Sequence, residues 1–174
     1  MLKKKWILIA NVALSLCSAV AQERTPHVSP EQTEFSAEDG AVKSPVRIPD
    51  DAWAILAADE SVRSSLSSNQ VSRSWFSAAV VHLHDSHEND LVVEGEGGLR
   101  GTNVNPFWVF RATPNGMRLA VNGPAHDLIV QPTRYKGYKT ILLMWFTAVR
   151  YSEVSLRFDG EKYVEYLHHE GEIK

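Results

Sequence analysis

Three regimes of hydrophobic patterning succeed one another along the chain. Residues Trp6 to Leu16 form a largely apolar run, residues 22–47 carry few apolar side chains beyond Phe35 and scattered valines, and from Ile48 onward apolar positions recur periodically. Trp53, Leu56, Ala57, Val62 and Leu66 are spaced close to a helical repeat, with Asp59, Glu60 and Arg63 between them. This predicts one amphipathic helix. It opens at Pro49-Asp50-Asp51, where proline needs no amide donor and the carboxylates complement the helix dipole, and it ends near Ser67-Ser68-Asn69.

After Asn69, short β-branched and aromatic runs alternate with Gly, Pro and Asn, the pattern of strands joined by turns. Strands are predicted near Ser74–Leu83, Asp90–Glu94, Phe107–Ala112, Arg118–Val121, Asp127–Gln131, Thr140–Val149, Val154–Phe158 and Tyr163–Leu167. The turns are Pro114-Asn115-Gly116, Asn122-Gly123-Pro124, Tyr135-Lys136-Gly137 and Asp159-Gly160. Links this short leave no room for crossover helices, so consecutive strands pair antiparallel. The expected fold class is α+β: one N-terminal amphipathic helix followed by an antiparallel β-meander of about seven to eight strands, with a small β-sandwich or partly open barrel as the alternative. The runs Trp75–Val81 and Ile141–Phe146 lack polar alternation and are expected to be buried on both faces.

The first regime is an address. Lys3, Lys4 and Lys5 precede the apolar run, and Ala19-Val20-Ala21 sets small residues before a cut at Gln22, so residues 1–21 read as an export signal with a periplasmic or extracellular destination. No later segment approaches the ~20 apolar residues of a spanning helix, so no membrane span is expected after signal removal. Cys17 follows Leu16 rather than a small residue, which disfavours lipid attachment there. Loss of Cys17 with the signal removes the only cysteine and with it any disulfide. Residues 22–47 contain Pro26, Pro30 and Pro45 and are expected to form a disordered tether, followed by a single β-rich domain at 48–169 and a C-terminal tail at 170–174. Loss of three signal lysines shifts the formal net charge from -3 to -6. No Lys/Arg run remains to neutralise a phosphate backbone, which argues against a nucleic-acid partner.

Candidate chemistry concentrates in His82-Leu83-His84-Asp85-Ser86-His87. Two imidazoles two residues apart on one face can share a metal, so His82, His84 and His87 are the candidate ligands. The string is similar to the H-x-H-x-D-H motif of the metallo-β-lactamase fold, yet the acid of that motif falls on Ser86 and a strand follows where a helix belongs. Solvated turn histidines are the plainer reading, and no metal is assigned. Gly95-Glu96-Gly97-Gly98-Leu99-Arg100-Gly101 follows a strand as a dinucleotide loop would, but the third glycine is replaced by Arg100 and no helix start follows, so no cofactor is assigned. No serine sits in a nucleophile elbow, and Glu94 and Glu96 read as solvated carboxylates. His126 and Asp127, adjacent on a strand, are expected on opposite faces, and no catalytic residue is assigned. In Phe107-Trp108-Val109-Phe110 alternate residues point opposite ways, so Trp108 and Phe110 either pack in a core or face a partner.

The segment His82 to Val93 resembles the D-x-N-x-D-G-x-x-D-L-V-V element of the FG-GAP or VCBS-type β-repeat, with Asp90-Leu91-Val92-Val93 as the matching part. In that family the acidic positions hold calcium. Here the earlier ones fall on His82, His84 and Ser86, so only Asp90 carries over. One copy is present, too few for a propeller. More broadly, the succession from Trp75 to Tyr163 is similar to small exported bacterial proteins of unassigned function, a resemblance that implies a fold and no catalytic residue. Three functions follow as expectations: an exported non-catalytic module that binds an envelope protein or surface polymer, a small metal-dependent hydrolase using His82, His84 and His87, or a purely structural accessory domain. The first is preferred.

Overall fold

The computed structural model describes residues 31–38, 42–64, 71–85 and 88–173. Nine strands form two antiparallel sheets, and two short helices cover one of them. β2 (Phe76–Val81), β3 (Asp90–Gly95), β4 (Asn105–Thr113) and β5 (Gly116–Ala125) pair in sequence order as a meander. β6 (Asp127–Tyr135), β7 (Tyr138–Phe146), β8 (Arg150–Phe158) and β9 (Tyr163–Glu172) form a second meander, to which β1 (Glu34–Ser36) adds beside β6. The expected α+β fold is therefore an open two-sheet sandwich built from meanders.

The four-stranded sheet is the middle layer, as alternation along β3 makes plain. Val92 packs between the sheets with Phe35, Val81, Val109, Leu128 and Ile141. Leu91 and Val93 face the other way, onto Ala52, Leu56, Val62, Phe76 and Trp108 beneath the helices. A strand covered on both faces reads as a continuous apolar run, which explains Trp75–Val81 and Asp90–Val93 alike. The same reasoning fails for Ile141–Phe146. Ile141 and Leu143 are buried, but Leu142 and Met144 are only half-buried on the outer face of the five-stranded sheet, which no described element covers. Leu142 is flanked there by Ile129 and Ser155, and Met144 by Asp127 and Glu153.

The single predicted helix is two: α1 (Asp50–Ala58) and α2 (Glu60–Ser64), with residues 65–70 outside the described set. The break is at Asp59, whose backbone is extended. Its carboxylate accepts from the Ser61 amide at 2.8 Å and from Trp108 Nε1 at 2.8 Å, so the competing side-chain bonds cap α2 and tie it to β4. The expected tether also proves partly structured. Phe35 is buried between the sheets and Val42 joins the same core, so Glu34–Ser36 becomes a strand. At the other end β9 continues to Glu172, past the expected tail boundary.

Turn chemistry is obeyed at Lys136-Gly137, where φ values of 50° and 83° suit a two-residue hairpin turn. It is not obeyed at Asn122-Gly123-Pro124, which lies inside β5. Proline is tolerated there because β5 is an edge strand that needs no outward amide, and its carbonyl accepts from Trp145 Nε1 at 2.9 Å.

Leu56→Ala should cost roughly 2–5 kcal/mol, since Leu56 is fully buried between α1 and the middle sheet, whereas Leu142→Ala on the half-open outer face should cost about 1 kcal/mol. Urea denaturation checks the contrast; equal losses would contradict the layer assignment.

Candidate functional site

The histidine string lies where β2 leaves the middle sheet, and its members go separate ways. The His82 amide donates to Glu31 Oε1 at 2.6 Å, and its Nδ1 is 3.6 Å from Glu31 Oε2. These groups border a cleft of about 670 Å³ between the start of the described chain and the edge of β2, lined also by Gln32, Lys43, Val46 and Val80. Burial works against ionisation of Glu31, but the His82 amide and the Lys139 ammonium 3.3 Å away outweigh it and hold the carboxyl below its usual range.

His84 turns inward instead, edge-on to Tyr138 at 4.8 Å and 3.8 Å from Glu88. His87 lies outside the described residues. Asp90 is wholly buried on the inter-sheet face, and its two oxygens accept from the amides of Leu83 at 2.9 Å and Ala112 at 2.8 Å. Burial pushes its carboxyl up, against the opposing pull of those amides. Asp90 acts as a staple that ties the 82–90 loop to β4, and its oxygens are committed to backbone. Among the described residues, no three His, Cys, Asp or Glu side chains converge as a metal site.

Arg111 lies nearby, with its guanidinium over the rings of Phe158 at 4.1 Å and Tyr138 at 4.8 Å and with Nη2 donating to the Tyr138 hydroxyl at 3.0 Å. Buried Tyr163 donates to the Lys139 carbonyl at 2.8 Å, and burial drives its phenol far above the ordinary value. These residues make a packed aromatic plug at one end of the sandwich.

Glu94, read from sequence as solvated, is buried on the same face of β3 as Asp90, at the strand's other end. Asn105 Nδ2 donates to its carboxylate, while Asn105 Oδ1 accepts from Arg100 Nε at 3.2 Å. Burial dominates and pushes the Glu94 carboxyl up to about 7. The glycine-rich stretch beside it is a packed corner containing a 3-10 turn at Gly97–Leu99, and a Cβ on Gly95 would meet Pro106 at 2.6 Å.

His126 and Asp127 differ from expectation. Their side chains meet at 3.0 Å, because His126 is the single residue by which the chain bends from β5 into β6, so strand alternation does not apply. Nε2 of the same ring faces Glu38 Oε1 at 3.4 Å, and Phe146 lies edge-on at 4.9 Å. A histidine oriented by a carboxylate is part of a base relay only if its far nitrogen meets a nucleophile or substrate; here it meets a second carboxylate.

Trp108 and Phe110, the speculative partner-facing pair, are buried beneath the helices, and Trp108 is further held by Asp59. The exposed apolar surface is elsewhere. Large exposed hydrophobic residues include Val149, Tyr166, Leu167 and Ile173, all on β9 or beside the strand ends it pairs with. Tyr135 joins them through Arg157, which lies over the rings of both Tyr135 at 4.5 Å and Tyr166 at 5.2 Å. β9 is exposed from Glu165 through Glu170 on both of its faces and forms an edge of the five-stranded sheet.

Among the described residues, two of the other sheet edges are partly capped by other segments and the third is short. β1 is three residues long. On β2 the Ala78 carbonyl accepts from Val46 N at 2.8 Å, and Glu31 takes the His82 amide. On β5 the Met117 amide donates to Asp51 Oδ2 at 2.6 Å, and Trp145 caps the Pro124 carbonyl. Such devices are how sheets avoid edge pairing. β9 carries no such cap among the described residues. Ile173 N donates to Val149 O, and ladder alternation therefore directs His169 and Gly171 toward β8 and turns the backbones of His168 and Glu170 outward. Sequence reasoning missed this strand's importance because it ended the run at Leu167; the signal was Glu165 through Glu170, a stretch with polar residues at positions of both parities.

No protein-family model matches the chain, and no curated protein or solved structure matches it.

The folded state binds the Glu94 proton more tightly than the unfolded chain, so native stability should fall as pH climbs from 4.5 to about 7 and level off above. The difference in unfolding free energy between wild type and Glu94→Gln should change by roughly 3 kcal/mol between pH ~4 and ~8 in the direction that favours the variant at high pH. Denaturant titrations across this range check it; a constant difference would show that Glu94 is ionised without cost.

Proposed function

We propose that the protein is an exported, non-catalytic module that recruits a protein partner by strand addition at β9. The observation that carries this reading is the contrast among the sheet edges: β2 and β5 carry caps from other segments and β1 is only three residues long, whereas β9 presents outward backbone groups at His168 and Glu170 with Tyr166, Leu167 and Ile173 exposed around them. Edge addition draws affinity from main-chain hydrogen bonds and specificity from side chains beside the strand. The Lys-rich and apolar start of the chain with its Ala19-Val20-Ala21 site supports export. The commitment of Asp90, Asp127 and Glu31 to partners within the fold supports binding over catalysis.

Glu170→Pro tests the reading, since it deletes an outward amide while leaving the bonds of His169 and Gly171 to β8. In pull-downs from envelope extract, a protein retained by wild type should be lost with Glu170→Pro and weakened at least several-fold with Leu167→Lys, while circular dichroism stays unchanged. Equal capture by wild type and Glu170→Pro would remove β9 as the docking edge.

A further inference from the structure

We propose that the occupant of the β9 edge is a second copy of this chain, paired antiparallel about a two-fold axis at His169. The inference rests on β9 being a docking edge and adds the identity of what docks there. In a symmetric antiparallel pair, outward backbone groups must meet outward backbone groups, and residues equidistant from the axis oppose one another. His168 and Glu170 are outward and flank His169. An axis at His169 therefore sets His168 of each copy against Glu170 of the other. Within one chain, His168 Nε2 is already 3.5 Å from Glu170 Oε1. The same ring also meets Ser152 Oγ at 2.9 Å and Glu165 at 3.9 Å, and across the axis each imidazole gains the Glu170 carboxylate of the other copy.

Neighbouring registers lack this match. An axis at Glu170 opposes the two Glu170 carboxylates, like charges that destabilise a ladder, and an axis at His168 forfeits the imidazole–carboxylate match. The chosen register also places Leu167, 55% exposed, opposite Gly171 of the partner copy. Gly171 is overlaid by the hydroxyl end of its own Tyr151 ring, which leaves no room for a Cβ there and gives the leucine a ring edge to pack on. The charges on β9 thus act in two ways: Glu165, Glu170 and Glu172 deter pairing with unrelated edges, while one self-register is complementary. The product is a continuous sheet of two five-stranded halves.

Sedimentation equilibrium on the full chain tests the proposal. Wild type should form a reversible dimer, and Glu170→Pro should be monomeric with an unchanged circular dichroism spectrum. His168→Glu should weaken the dimer by roughly threefold to thirtyfold, because two symmetry-related pairs become repulsive, and the double variant His168→Glu/Glu170→Lys should restore it. In a Cys17→Ser background, His169→Cys should form a disulfide-linked dimer on oxidation, and Leu167→Cys should not. A wild type that stays monomeric from micromolar to sub-millimolar concentration, a dimer indifferent to Glu170→Pro, or cross-linking through Leu167→Cys in place of His169→Cys would overturn it. If wild type is monomeric while Glu170→Pro still abolishes capture from envelope extract, self-pairing alone falls and strand addition to another protein stands.

Discussion

Burial of β3 on both faces is the constraint from which the rest of the architecture follows. Its Leu91 and Val93 need a layer on one side and its Val92 a layer on the other, so a single sheet with one wet face cannot satisfy this strand. The helices supply the first cover and the five-stranded sheet the second. Everything that looks incidental in the chain around 31–64 serves one of these covers: Phe35 plugs the inter-sheet core, and Leu56 and Val62 seal the outer one.

Two acids interrupt this apolar strand, and they do different physical work. Asp90 receives the backbone amides of Leu83 and Ala112 and so ties the end of β2 to β4. Glu94 meets one side-chain amide, and its environment favours the neutral form over the ionised one. Carboxyls of this kind often mark reaction centres. Here each is partnered within the fold, and the more open histidine of the region, His82, is engaged by Glu31. The arrangement is that of polar anchors inside a β-sandwich.

Function then moves to the periphery, where the open edge differs from the capped ones by specific groups. Asp51 on α1 reaches the amide of Met117, and Trp145 reaches the carbonyl of Pro124, so side chains distant in sequence terminate β5. β2 is terminated by Val46 and Glu31 from the segment that precedes the helices. β9 has only its own glutamates, its histidines and the bulge beside Ser155 and Leu156. Charge discriminates between partners where a cap would exclude all of them.

Local pattern alone determined the α+β class, the eight strands from Phe76 onward, the antiparallel pairing of neighbours within each sheet and three hairpin turns, because each of these depends on the two-residue period, on turn residues and on links too short to cross a sheet; the break of the meander between β5 and β6 it did not foresee. Tertiary structure decided what period cannot encode. It made a strand of Glu34–Ser36 because Phe35 found a core, split the helix because Asp59 found Trp108, and brought His126 onto Asp127 because the chain bends there from one sheet to the other. It also hid Trp108 and Phe110 and, among the described residues, left β9 without a cap. A sequence specifies which faces are apolar, but which face, edge or carboxylate meets a partner depends on residues far away along the chain, and only the packed layers set those encounters.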